Sequence, residues 1–438
     1  MSQATVGTSP WALLAYTIAD DHSGATLIDA SARHELTAIF EAAEFGQVNV
    51  AAQIDFKRAP GVFRASLTAT PPSLTVAAPS ATTGAAKTHE FADVRAEDHP
   101  LWRNILENVK KSRLRVQMGH TDLNSARANV LHHFLRFGQQ ECPADRYVVF
   151  FYGHSSGPMG LFYDTETRQR VPNTLRLNDL AGSIQAVDGG AAVVVFRDCF
   201  MNTLEAAYEL KDVGEFMIAS QSEMPIAGIW PWLPLMTTLL PGARPRDVAR
   251  SLAMQIGSFL DVQANRGPFA DAPISLIDLS AAHSFSGPLK ALADALEEAR
   301  RDPERSRACA RALEGARVGD PIDHSRPGDP ALLDVPTMCD NLQRLGSDPV
   351  AGPAKALGDA VRNRLVGWHH SQKKRYQGTS IYYKPVNPKD LERSIIESGD
   401  SEEAERDARH YGRLALNTAT GWDRIALNPL IHSSHGAS

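Results

Sequence analysis

Apolar and polar positions along the first half of the chain follow two periods in turn. Short apolar runs at Trp11–Tyr16, 48–54 and Val62–Leu67 have the length and content of buried strands. Between the first two, residues 26–44 place Leu36, Ile39, Phe40 and Ala43 at helical spacing. Strand, helix, strand in succession is the pattern of an α/β sheet. Ala128, Leu131, Phe134 and Leu135 line one face of a second helix, with Asp122 or Asn124 as its cap. That helix leads into the strand Tyr147–Tyr152, and a short helix starting near Asn178 leads to the strand 191–196. Residues 200–210 read as a helix with Leu204, Ala207 and Tyr208 inward, followed by a strand at 216–219 and a Pro- and Trp-rich loop at 225–234.

The remainder reads mainly as helices, with Leu289, Leu292 and Leu296 as one stripe and a single late strand at 379–383. The expected organisation is an N-terminal arm at 1–10, an α/β domain at 11–245, and a mainly helical region at 246–438. The Pro/Ala/Ser/Thr-rich stretch 70–87 lacks periodicity and reads as a surface insertion.

Composition narrows the function. The 438 residues are 43% hydrophobic and 22% charged, the profile of a globular protein. A net charge of -6 supplies no basic face for nucleic acid. No apolar run has the length needed to span a bilayer, so no membrane association is expected. Residues 1–10 carry no basic n-region, which argues against a secretory signal. The four cysteines are widely spaced with no CxxC, so reduced thiols in a cytoplasmic setting are expected rather than a disulfide framework or zinc site.

Two strands end in reactive side chains. Tyr147–Tyr152 runs into Gly153-His154-Ser155-Ser156-Gly157, and 191–196 runs into Arg197-Asp198-Cys199. Ligands of open α/β sheets bind beyond the carboxyl ends of strands, and one crossover separates these two. A thiol beside an imidazole is the minimal machinery for nucleophilic attack on a peptide bond. A cysteine opening a helix gains from the helix dipole, and the N–H groups of Gly153 and Cys199 are candidates for an oxyanion site. Taken singly, a cysteine after a valine run is also what an inert buried thiol looks like. The same loop fits G-x-S-x-G, with Ser155 as a serine-hydrolase nucleophile and His432 or His435 as its base. That motif needs a helix directly after the serine, and the sequence here continues as a turn.

The residues resemble the clostripain-type (C11) branch of caspase-like cysteine peptidases. The resemblance rests on Asp198-Cys199-Phe200-Met201, Glu205 to Leu210, Ala219-Ser220-Gln221 and 225–231, with Pro143 to Tyr147 and Gly153-His154 upstream. Further segments at 11–21, 48–55, 378–383 and Thr420-Gly421-Trp422-Asp423 extend it over most of the chain. It implies a caspase-hemoglobinase-like three-layer α/β/α sandwich with a central, mostly parallel sheet and a helical C-terminal subdomain. It also implies His154 as general base and acid, and Cys199 as nucleophile of a cysteine endopeptidase.

Two departures bear on specificity. The resemblance implies an acid two residues before the cysteine, at the base of the S1 pocket, and a second before Gly228; this chain has Arg197 and Ala227. With Asp198, Arg197 would line S1 and clamp an acidic P1 side chain. The alternatives are Arg197 paired with Asp198, Asp164 or Asp55, giving a neutral pocket, or a basic preference set by Asp20, Asp21 or Glu223. The family's zymogen cleavage maps to the polar segment 164–170, with Asp164, Glu166, Arg168 and Arg170 as processing sites. Trp230 and Trp232 are candidate subsite walls or, equally, core anchors. Asp20, Asp21 and Asp55 match no calcium-loop pattern, so no metal or cofactor is expected. The partners expected are protein substrates and an activating protease, acting on a monomer in a regulatory or defence cascade. The alternative to an enzyme is a catalytically inactive binding protein on the same scaffold.

Overall fold

The computed structural model describes residues 9–19, 26–56, 62–69, 91–119, 123–164, 173–185, 187–188, 190–225, 228–264, 272–318, 332–346, 349–384, 409–428 and 430. The arm 1–8 and the insertion 70–87 lie outside them.

The chain opens with strand β1 (Ala12–Ile18), helix α1 (Thr26–Gly46), β2 (Asn49–Asp55) and β3 (Val62–Leu67). Next come β4 (Phe91–Asp93), α2 (Pro100–Leu106), β5 (Leu114–Gly119) and α3 (Ala128–Glu141). They are followed by β6 (Tyr147–Tyr152), β7 (Leu161–Asp164), β8 (Asn173–Leu175) and α4 (Leu177–Ile184). Then come β9 (Ala191–Arg197), α5 (Leu204–Leu210), β10 (Gly214–Ala219) and α6 (Trp232–Met236). The chain continues through α7 (Pro245–Ala264), β11 (Ile274–Asp278), α8 (His283–Ala299) and α9 (Pro303–Glu314). After these come β12 (Arg317–Val318), β13 (Leu332–Asp334), α10 (Val335–Gln343), α11 (Ala351–Ala360), β14 (Val366–His370), β15 (Ser380–Tyr382), α12 (Ala415–Thr420) and α13 (Asp423–Ala426).

Ten strands form one sheet in the order β14-β11-β10-β9-β6-β1-β2-β3-β5-β4. Its centre, from β2 through β1, β6 and β9 to β10, is parallel. Both flanks are antiparallel, so the sheet is mixed rather than mostly parallel.

Alternation along β1 shows how the layers arise. Leu14, Tyr16 and Ile18 face one core with α3, α4, α5, α8, α10 and α11, while Leu13 and Ala15 face another with α1, α2, α6 and α7. The predicted stripe of α1 is fully buried at Leu36, Ile39, Phe40 and Ala43. Each larger side chain buried this way is worth about 1.5–3 kcal/mol. The result is the expected α/β/α sandwich.

The expected division near residue 245 does not follow the sheet. β11 and β14 lie beyond it yet extend the central sheet past β10, and α8, α10 and α11 cover one of its faces. These strands are short and sit among strong helical patterns, so local periodicity did not expose them. The helix cap also differs: α3 begins at Ala128, and Asn124 Oδ1 instead accepts the Ala126 N–H at 3.0 Å.

Candidate active site

β6 and β9 are parallel neighbours with Tyr152 opposite Arg197. His154 and Cys199 therefore each lie two residues beyond the same rung, on strands about 4.8 Å apart. Both side chains are half-buried, and both follow the carboxyl ends of neighbouring parallel strands.

The histidine segment is held by the strand that doubles back over it. The His154 carbonyl accepts the Phe162 N–H at 2.7 Å, and Ser155 bridges to Leu161. The cysteine segment turns at Phe200, whose φ of 59° is a left-handed value that non-glycine residues seldom take. Bonds from Phe200 N–H to Ser222 O (3.0 Å) and Asn202 N–H to Ser220 O (2.9 Å) hold that turn in place. The two segments touch at Gly157, where φ is 58° and a Cβ would sit 2.8 Å from the Phe200 carbonyl oxygen. Glycine is thus required both by conformation and by the close backbone approach.

Ser155 is not placed as a nucleophile. Its buried hydroxyl accepts the Gly157 N–H and donates to Met201 Sδ, each at 2.9 Å, and a single tight turn followed by β7 takes the place of the required helix. Helix-dipole activation of the thiol is likewise corrected. α5 starts only at Leu204, capped by Thr203, whose hydroxyl accepts the Ala206 N–H at 3.2 Å.

A different group reaches the sulfur. The backbone N–H of Met224 donates to Cys199 Sγ at 3.3 Å, and such a bond favours the thiolate. No sequence signal pointed to it, because the donor is a main-chain group in the loop after β10.

Arg197 departs furthest from expectation. Its side chain is 1% exposed and its Nη1 lies 2.5 Å from Oε2 of Glu35, which is equally buried. Its Nη2 donates to the Gly228 carbonyl at 2.7 Å, and its Cζ lies 4.7 Å from the Tyr152 ring centroid. The buried guanidinium is therefore ion-paired with Glu35 inside the protein, a partner outside the three acids named from the sequence; the Asp164 side chain is not among those described. Glu35 sits mid-helix on the predicted inner face of α1, where one acid among apolar positions was the only available signal.

Asp198 is fully buried, with neither carboxyl oxygen in hydrogen-bonding geometry. Burial pushes its carboxyl well above the usual range, and the Gly153 N–H offsets only part of that. Asp198 therefore presents no carboxyl oxygen at the surface. Trp230 and Trp232 are core anchors: both are buried, pack on Phe150, and donate to Glu35 (Trp232 Nε1 at 2.8 Å, Trp230 N–H at 3.3 Å). The exposed charge adjoining the site is Glu223, one residue before Met224.

Of the processing residues, Asp164 ends β7, which pairs with β8; Glu166, Arg168 and Arg170 lie outside the described residues, as do Asp20, Asp21, Ala227, His432 and His435. Asp55 is buried at the end of β2. Among the described residues, no group of three or more His, Cys, Asp or Glu side chains is placed to hold a metal ion. None of their helices is long and apolar enough to cross a membrane.

The site is braced from the C-terminal side. Gln221 Nε2 donates to Asp334 Oδ2 and Ser380 Oγ, both at 2.9 Å, and Gln221 Oε1 accepts the Gly378 N–H at 2.9 Å. Asn202 Nδ2 donates to the Gly378 carbonyl at 2.6 Å. The segments following β9 and β10 are thereby pinned to residues 378–380.

The sequence profile of the peptidase C11 (clostripain) family matches residues 103–323. A search of curated proteins finds no match. Among solved structures, an inactive zymogen C11 protease from Parabacteroides distasonis is similar, with a TM-score of 0.60 at 17% identity, covering 94% of this chain and 99% of that one. A secreted C11 cysteine protease from Bacteroides thetaiotaomicron, bound to an irreversible peptide inhibitor, gives 0.59 at 15% identity with the same coverage. At these identities the likeness establishes the fold.

Proposed function

Since the chain belongs to the clostripain family of cysteine peptidases, we propose that it is an endopeptidase working through Cys199 and His154. The observation supporting this reading is the pairing of Tyr152 with Arg197, which starts the histidine and cysteine segments from one rung of two neighbouring parallel strands. His154 takes the thiol proton as Cys199 Sγ attacks the scissile carbonyl carbon. The Cys199 N–H is the candidate donor to the developing oxyanion. His154 then passes the proton to the leaving amine, giving a thioester and a free amino terminus. A water molecule, deprotonated by His154, hydrolyses the thioester and releases the acid while the thiol regains its proton.

Substrate preference belongs to the same proposal. Arg197 presents no free charge, and the exposed carboxylate of Glu223 adjoins the Met224 N–H at the sulfur. A basic P1 side chain is therefore favoured over an acidic one. This removes the reason to exclude self-processing after Arg168 or Arg170, which are proposed as activation sites between β7 and β8. A cytoplasmic site of action, supported by the cysteine usage, is part of the reading and is tested by cell fractionation.

The deciding experiment is hydrolysis of a P1-varied peptide library by the wild type, with Cys199→Ala and His154→Ala as controls. Cleavage after Lys or Arg, lost in both variants, is the expected result. Cleavage that survives Cys199→Ala would refute the dyad, and cleavage after Asp or Glu would refute the P1 assignment.

A further inference from the structure

The thiol and its donor arrive from different parts of the chain. Cys199 follows β9, whereas the Met224 N–H comes from the segment after β10. A hydrogen bond of 3.3 Å between them depends on whatever fixes one segment against the other.

One side chain spans both. Arg197 is the last residue of β9, two positions before the sulfur, and its Nη2 holds the Gly228 carbonyl, four positions after the donor. Its other arm lies against Glu35 on α1, which also receives Trp232 Nε1 and the Trp230 N–H from the same loop. We propose that Arg197 is a positioning residue: its guanidinium, neutralised by Glu35, ties the cysteine segment to the loop bearing the Met224 N–H and so holds that donor on Cys199 Sγ.

The physical case rests on the cost of the arrangement. A buried ion pair is seldom better for stability than packed apolar side chains, because desolvation offsets its attraction. What it supplies is a fixed geometry, and a planar fork reaching two acceptors does this as an ammonium cannot. The faces of Tyr152 and Trp230, with centroids 4.7 and 5.5 Å from the guanidinium carbon, confine its plane further.

The inference rests on Cys199 as the nucleophile, but its test does not need peptide cleavage. The rate of alkylation by iodoacetamide is followed against pH, with the modified peptide identified by mass. Cys142, Cys309 and Cys339 are buried, so the reaction reports Cys199. Arg197→Lys keeps a cation for Glu35 while losing the arm to Gly228. The double variant Glu35→Gln/Arg197→Met removes both charges of the pair. In both, the alkylation midpoint is expected to rise by about one pH unit, a tenfold loss of thiolate at a given pH below it. Met224→Leu, which keeps the backbone N–H, should leave the midpoint in place. A wild-type midpoint in either folded Arg197 variant, checked by thermal unfolding, overturns the proposal; Arg197→Lys, whose buried charge stays paired, carries the test if the double variant does not fold. Absence of peptide cleavage with the expected shift would refute the peptidase reading and leave this one standing.

Discussion

Tyr411 donates its hydroxyl hydrogen to Glu205 Oε1 at 2.7 Å, both side chains fully buried. Glu205 lies in the first turn of α5, just beyond the cysteine turn, and the same oxygen accepts the Tyr382 N–H of β15 at 2.9 Å. The last part of the chain thus ends on a carboxyl group beside the candidate site. Burial raises the Glu205 carboxyl above its ordinary range, and these donors offset part of the rise.

Tyr411→Phe keeps the ring and deletes the donor. A loss of about 1–3 kcal/mol is expected for a buried acceptor deprived of a partner. It should appear as a lower denaturant midpoint with an unchanged m-value. Because Glu205 then becomes still harder to ionise in the folded state, the loss should be larger at pH 8 than at pH 5.

Asp198 makes a related prediction with a defined sign. Its carboxyl is raised in the folded protein, so the native state holds a proton that the unfolded chain releases near its ordinary value. Stability therefore falls as pH rises above that ordinary value, until the folded-state value is passed. Asp198→Asn should raise the unfolding temperature at pH 7 and flatten its slope above pH 4. An unchanged slope would show that Asp198 ionises freely when folded.

Trp232→Phe removes the indole donor to Glu35 and some buried area. A stability loss of about 1–3 kcal/mol is expected, with P2 and P3 preferences in a peptide library unchanged. Altered subsite preference would restore Trp232 to the substrate cleft.

Glu223→Gln tests the charge at the site. Exposed ion pairs are worth about 0.2–1 kcal/mol, so kcat/KM for a Lys or Arg P1 substrate should fall a few-fold. The effect should shrink as salt is raised, and a neutral P1 substrate should be unaffected.

The sequence by itself determined the parallel centre of the sheet, α1, and the adjacency of the strands that precede His154 and Cys199, because these follow from apolar runs and from one crossover between them. It also carried the family resemblance through segments such as Asp198-Cys199-Phe200-Met201. Side-chain direction at the strand ends was not legible. Arg197 pairs with Glu35, far from it in the chain, which reaches it because α1 packs on that face of the sheet. Trp230 and Trp232 join it there through their bonds to Glu35. The donor to the thiol is a main-chain N–H, which every non-proline residue carries, so only the fold could select Met224. β11 and β14 were hidden for a related reason: a short strand at the end of a sheet is defined by the neighbour it pairs with, and that neighbour is far away in the chain. Local periodicity fixes which residues are inside, whereas pairing between distant segments decides which buried charges meet and what surrounds the sulfur.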